Sequence, residues 1–131
     1  MKSYTITEYN AARSKPTSKH ICHAPFSNMY FNVHGDCAPC WLTFIEPDSY
    51  PSKSIREIWF GEKFQELRKN LLAYDLRDKC KVCMRNLQDG NFTSVLARAY
   101  DVNEVSDYPN MMELELSNTC NLECVMCIGD L

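Results

Sequence analysis

The sequence predicts an α+β fold: a small domain built from a β-hairpin plus helices, then a strand that opens a second unit. Three observations carry that prediction. Apolar residues alternate with polar ones around 29–33 and 112–116, the two-residue period of a half-buried strand. Between 55 and 71 they recur at helical spacing. Eight cysteines, a high number for 131 residues, are gathered near the hairpin, near residue 80 and just after the last strand.

Taken in order, residues 1–19 show no apolar periodicity and read as a mobile arm, with order starting near Ile21. Met29, Phe31 and Val33 alternate with Tyr30 and Asn32 as a strand. His34-Gly35-Asp36 supplies a turn, because glycine tolerates positive φ, and residues 37–42 return as the second strand. Residues 46–51, rich in turn formers, read as a loop. Ser54-x-x-Glu57 is a capping box, in which hydroxyl and carboxylate satisfy the first free amides of a helix. Ile55, Ile58 and Trp59 share one face of that helix. A second helix over 62–73 turns Phe64, Leu67 and Leu71 inward. Residues 75–86 read as irregular, and 92–100 as a further helix packing through Val95, Leu96 and Ala99. Near Asp107 a new unit begins, with Met112, Leu114 and Leu116 alternating with Glu113 and Glu115. The expected organisation is an arm (1–19), a cysteine-bearing domain (20–104) and the start of a second domain (105–131).

Composition narrows the function. The net charge of −3 gives no overall pull toward nucleic acid. Nine basic and five acidic residues fall between Lys53 and Arg85, and seven acids with no Lys or Arg follow from Asp101. Such unevenness is that of ordinary solvated surface, or of a basic face that docks an acidic partner. No apolar run approaches the roughly 20 residues that span a bilayer, and residues 1–10 lack the apolar centre of a signal peptide. A cytoplasmic setting with no membrane partner is the expectation. In such a reducing compartment cysteines are metal ligands more often than disulfides.

The strand at 112–116 runs into Cys120-Asn121-Leu-Glu-Cys124-Val-Met126-Cys127, a Cys-x3-Cys-x2-Cys spacing. Closely spaced soft thiolates suit three corners of an iron–sulfur cubane and leave a fourth iron open. This segment resembles the signature of the radical S-adenosylmethionine (SAM) family, including Asn121 and the strand leading in. The resemblance implies a 4Fe-4S cluster on Cys120, Cys124 and Cys127. Its open iron would chelate SAM, and one electron would cleave SAM to a 5′-deoxyadenosyl radical. Met126 stands where the family often has an aromatic residue and is expected to pack on the adenine. The chain ends at Leu131, before the later strands of the family's partial (β/α) barrel. The expectation is therefore an incomplete barrel, inactive alone.

Five cysteines lie upstream. Cys22, the Gly35 turn, Ala38-Pro39-Cys40, the helix at 54–59 and Cys80-x2-Cys83 together resemble a twitch domain, the shorter relative of the SPASM domain. The resemblance implies an auxiliary 4Fe-4S cluster held by Cys22, Cys40, Cys80 and Cys83. Cys37 and Cys40 compete for one of those positions. Three residues apart on an extended strand, they point to opposite faces. The family's glycine–variable–proline–cysteine run favours Cys40 and leaves Cys37 as a small buried hydrophobe. The rival is zinc, held by the pairs Cys37-x2-Cys40 and Cys80-x2-Cys83. Trp41 and Trp59 are expected in the core, and His23 beside a cluster sulfur or partly buried. The family further implies a peptide or protein substrate and a reductant such as ferredoxin or flavodoxin. A stand-alone electron-transfer or docking module is the other alternative.

Overall fold

The computed structural model describes residues 6–13, 19–117, 119 and 125. Its centre is a four-stranded sheet in the order β3-β2-β1-β4, made of β1 (Asn28–Phe31), β2 (Asp36–Ala38), β3 (Asp48–Ser49) and β4 (Met111–Leu114). β1 and β2 are an antiparallel hairpin, with Tyr30 opposite Ala38 and Phe31 opposite Cys37. The Asn32 carboxamide oxygen accepts the amides of His34 and Asp36, both at 2.9 Å, which folds the chain tightly between the strands. Gly35 sits at φ +84, and a Cβ there would collide with the Tyr50 carbonyl oxygen. Only glycine both adopts that conformation and lets the residue just after β3 come this close.

Alternation along β1 sends its side chains to two different layers. Met29 and Phe31, with Cys37 of β2, pack on Ile58, Trp59 and Phe64 from α3 (Ile55–Trp59) and α4 (Glu62–Leu72). The expected capping box starts α3: the Ser54 hydroxyl accepts from the Glu57 amide, and the Glu57 carboxylate accepts from the Ser54 amide. On the opposite face of β1 lie Asn28, fully buried, and the half-buried Tyr30. A second core gathers there from α4 (Leu67, Leu71), α5 (Lys81–Gln88), two short 3-10 turns (Phe92–Ser94 and Leu96–Tyr100) and α1 (Ile6–Ala12). Helix α4 therefore serves both cores, Phe64 in the first and Leu67 and Leu71 in the second, as its spacing predicts. The short α2 (Ala24–Ser27) is tied to α4 by Arg68, whose Nε donates to the Pro25 carbonyl at 2.7 Å.

Several sequence expectations need correction. Residues 6–13 are not a loose arm. Tyr9 of α1 is fully buried, and Arg13 pairs with Asp101 at 2.6 Å with both side chains out of solvent. One tyrosine on a seven-residue helix leaves no legible period, and the partner acid lies 88 positions away. Residues 81–88 form α5 where an irregular segment was expected. The helix expected over 92–100 is instead two 3-10 turns, which bury Val95, Ala97 and Tyr100 and leave Ala99 exposed. The return strand stops at Ala38, because Pro39 has no amide to continue the ladder. The loop expected at 46–51 contributes β3.

β4 begins no separate sheet. It pairs in parallel with β1 along its whole length, Met29 opposite Met112 and Phe31 opposite Leu114. Met112 and Leu114 thus share the face of Met29 and Phe31. They lie beyond the cover of α3 and α4 and remain exposed.

Candidate metal centre

Four of the five upstream cysteines converge on one cavity. Cys22 precedes α2, Cys40 follows the bend after β2, and Cys80 and Cys83 open α5. All four line a single pocket whose other walls include Ala24, Leu67, Leu71 and Tyr100. Cys80 is the residue before the helix and Cys83 lies in its first turn, so the helix start turns both thiols to the same side. Cys22 is buried, while Cys40, Cys80 and Cys83 are partly exposed; all are free thiols.

Cys37 goes elsewhere. It is 1% exposed in the core formed with Met29, Phe31 and Trp59, and its thiol donates to the Gly35 carbonyl at 3.3 Å. The reason is its strand register, which places it opposite Phe31 and on that residue's face. The zinc reading through two Cys-x2-Cys pairs needs Cys37 and Cys40 together, and they lie in different layers. Among the described residues, moreover, no three His, Cys, Asp or Glu side chains are grouped to hold a single ion. A tetrahedral zinc draws its thiolates to within about 3.8 Å of each other, given Zn–S bonds of about 2.3 Å. A cubane takes one thiolate at each of four corners, and four cysteines line this one pocket.

Electrostatics give the same grouping. Burial pushes the Cys80 thiol up to about 12, with Cys40 and Cys83 adding to the rise. Burial first, then the neighbouring Cys40, raises Cys22 well above the ordinary thiol range. Cys40 and Cys83 are also raised, chiefly by burial. Four thiolates would repel one another in so apolar a place, so the site favours a cationic group among them. Cys37 is raised by burial too, but the charges acting on it are Asp36 and Asp48.

Hydrogen-bond donors reach three of the four sulfurs. The Ala24 amide donates to Cys22 Sγ at 3.4 Å. Cys40 Sγ lies 3.0 Å from the Thr43 hydroxyl and also meets the Leu42 amide, while the amides of Leu96 and Ala97 reach Cys83. Such bonds to sulfur are a principal means of setting the potential of an iron–sulfur cluster. The donor set, apolar walls and amide hydrogen bonds fit a cluster.

Other expected residues fall differently. His23 Nδ1 lies 2.8 Å from the Asn103 carbonyl. Trp59 is core, its indole donating to the Asp107 carbonyl at 2.8 Å, whereas Trp41 is 58% exposed. Cys120, Cys124, Cys127, Asn121 and Met126 lie outside the described residues. Sequence reasoning missed Tyr9, Thr43, Tyr100 and Glu113. Thr43 stands three residues after Cys40, a spacing that could have drawn attention to it. The others are distant in sequence from the cysteines they serve.

Residues 22–84 match the family model of SPASM, an iron–sulfur cluster-binding domain. The match supports the SPASM/twitch part of the expectation, and iron–sulfur cluster binding with it. It spans all five upstream cysteines and ends before the C-terminal motif. No curated protein and no solved structure matches the chain. No described helix is long and apolar enough to cross a membrane.

Proposed function

We propose that this chain is the cluster-binding portion of a radical SAM enzyme. In this reading Cys22, Cys40, Cys80 and Cys83 hold an auxiliary 4Fe-4S cluster. Cys120, Cys124 and Cys127 hold a second cluster that binds SAM, with Met126 against the adenine. The observation that carries the reading is the convergence of four thiols, without Cys37, on one hollow inside a segment that matches an iron–sulfur family. When bound, the two groups supply one-electron chemistry, at the C-terminal motif the reductive cleavage of SAM. The chain's own residues do the rest. Pro39 and the bend after β2 aim Cys40 at the hollow, α5 aims Cys80 and Cys83, and amides at 24, 42, 96 and 97 hold their sulfurs in place. Leu67, Leu71 and Tyr9 keep water away from the buried side. The parent enzyme modifies a peptide or protein and draws its electrons from a ferredoxin or flavodoxin.

Anaerobic reconstitution tests the reading. The expected product is brown and carries about eight iron and eight acid-labile sulfides per chain, as two 4Fe-4S clusters require. Stoichiometric zinc with no labile sulfide would overturn it.

A further inference from the structure

Glu113 looks like a surface residue in the sequence, one of two acids alternating with Met112, Leu114 and Leu116. In the structure it faces the other way from those apolar neighbours, toward the cysteine hollow. Its Oε1 accepts two hydrogen bonds, from the Tyr100 hydroxyl at 2.7 Å and from Asn28 Nδ2 at 2.6 Å. Asn28 Nδ2 also donates to the Pro39 carbonyl at 2.8 Å, immediately before Cys40. Tyr100 is itself part of the cavity wall. Asn28 is fully buried and Tyr100 is 3% exposed, while Glu113 is half-buried, so both contacts are partly shielded from water, which strengthens them. One carboxylate is therefore bonded to the wall of the hollow and, through Asn28, to the loop that carries a ligand.

We propose that Glu113 is a positioning residue for the auxiliary cluster: it fixes the Cys40 loop and Tyr100 and sets its negative charge behind the cavity wall, which lowers the cluster's reduction potential. This rests on the cluster reading above. One-electron reduction by a low-potential donor adds one negative charge to the cluster and its four thiolates. A fixed carboxylate across an apolar wall opposes that charge and stabilises the oxidised form. The Tyr100 hydroxyl draws part of the carboxylate's charge toward itself. Burial, followed by the bond to Glu113, raises its pKa and keeps it a donor.

The test is an anaerobic redox titration, followed by electron paramagnetic resonance, on full-length chain with Cys120, Cys124 and Cys127 replaced by alanine. Glu113→Gln removes the charge and keeps an acceptor, so the midpoint moves to less negative potential. Tyr100→Phe leaves the charge and removes a donor from it, so the midpoint moves the opposite way. Shifts of opposite sign support the proposal. Unmoved midpoints, or shifts of the same sign, overturn it. Should Glu113→Gln take up no cluster, Tyr100→Phe decides alone: a more negative midpoint supports the proposal, and an unchanged or less negative one overturns it. Absence of labile sulfide in the parent chain overturns the cluster reading and this inference together. A sulfide-bearing cluster with unmoved potentials overturns this inference alone.

Discussion

Replacing Arg13 with methionine isolates what holds α1 onto the domain. Arg13 Nε contacts both Asp101 oxygens, at 3.2 and 3.0 Å, and Nη2 adds a third bond at 2.6 Å. Nη1 also donates to the His20 carbonyl at 2.7 Å. Both side chains of the pair are 0% exposed. Removing the cation strands a carboxylate in the core, a change that costs about 3–5 kcal/mol. The helix has a cheaper response than enduring that cost, namely to detach and let water reach Asp101. Its docking rests otherwise chiefly on Tyr9, whose burial is worth about 2 kcal/mol, with the partly buried Ile6 beside it. The lower end, about 3 kcal/mol, is therefore the expected effect, and it should appear as local opening. At about 1.4 kcal/mol per factor of ten, amides of α1 should exchange with solvent about 100-fold faster in Arg13→Met. Amides of α4 near Leu67 and Leu71 should keep their protection. Arg13→Met/Asp101→Leu, which leaves no charge to strand, should recover most of the loss. Hydrogen exchange on the anaerobically loaded protein measures all three. Equal α1 exchange in Arg13→Met and the parent would refute the reasoning.

Two further outcomes follow from the same structure. Gly35→Ala forces a side chain into positive φ and onto the Tyr50 carbonyl; about 2 kcal/mol of destabilisation is expected, seen as a lower urea midpoint, and an unchanged midpoint contradicts it. Cluster binding should be folding free energy for the segment 20–90, so Cys83→Ala should melt well below the parent while Cys120→Ala leaves that segment folded, and coincident melting of Cys83→Ala with the parent counts against this.

Local signals were strong enough to place the hairpin, the Gly35 turn, the capped α3 and the inward face of α4. Each depends on neighbours a few residues apart: a two-residue period, a glycine between strands, a Ser-x-x-Glu box. The set Cys22, Cys40, Cys80 and Cys83 came from the resemblance to a twitch domain, not from local spacing, and the fold brings these four to one pocket. Only the divergence of Cys37 from Cys40 is a local matter, since a three-residue offset on an extended strand sends the two to opposite faces. What escaped was long-range. Arg13 and Asp101, or Glu113 and Tyr100, are ordinary polar residues until the fold brings them together. The helix α5 escaped because two cysteines invite a reading as loop ligands, although the helix makes their shared direction possible. β4 was recognised as a strand, but its place beside β1 is a matter of topology, which alternation does not encode.

The central claim, that Cys22, Cys40, Cys80 and Cys83 hold an auxiliary cluster from which Cys37 is excluded, is tested most directly by iron and acid-labile sulfide content. The host is the chain with Cys120, Cys124 and Cys127 changed to alanine, so that the upstream site is read alone. Four iron and four sulfide, roughly, are expected in this host and in its Cys37→Val derivative, and a loss of the cluster's signal in Cys40→Ser. Loss in Cys37→Val with retention in Cys40→Ser would make Cys37 the ligand and contradict the account. Loss in both would return the site to paired Cys-x2-Cys ligands.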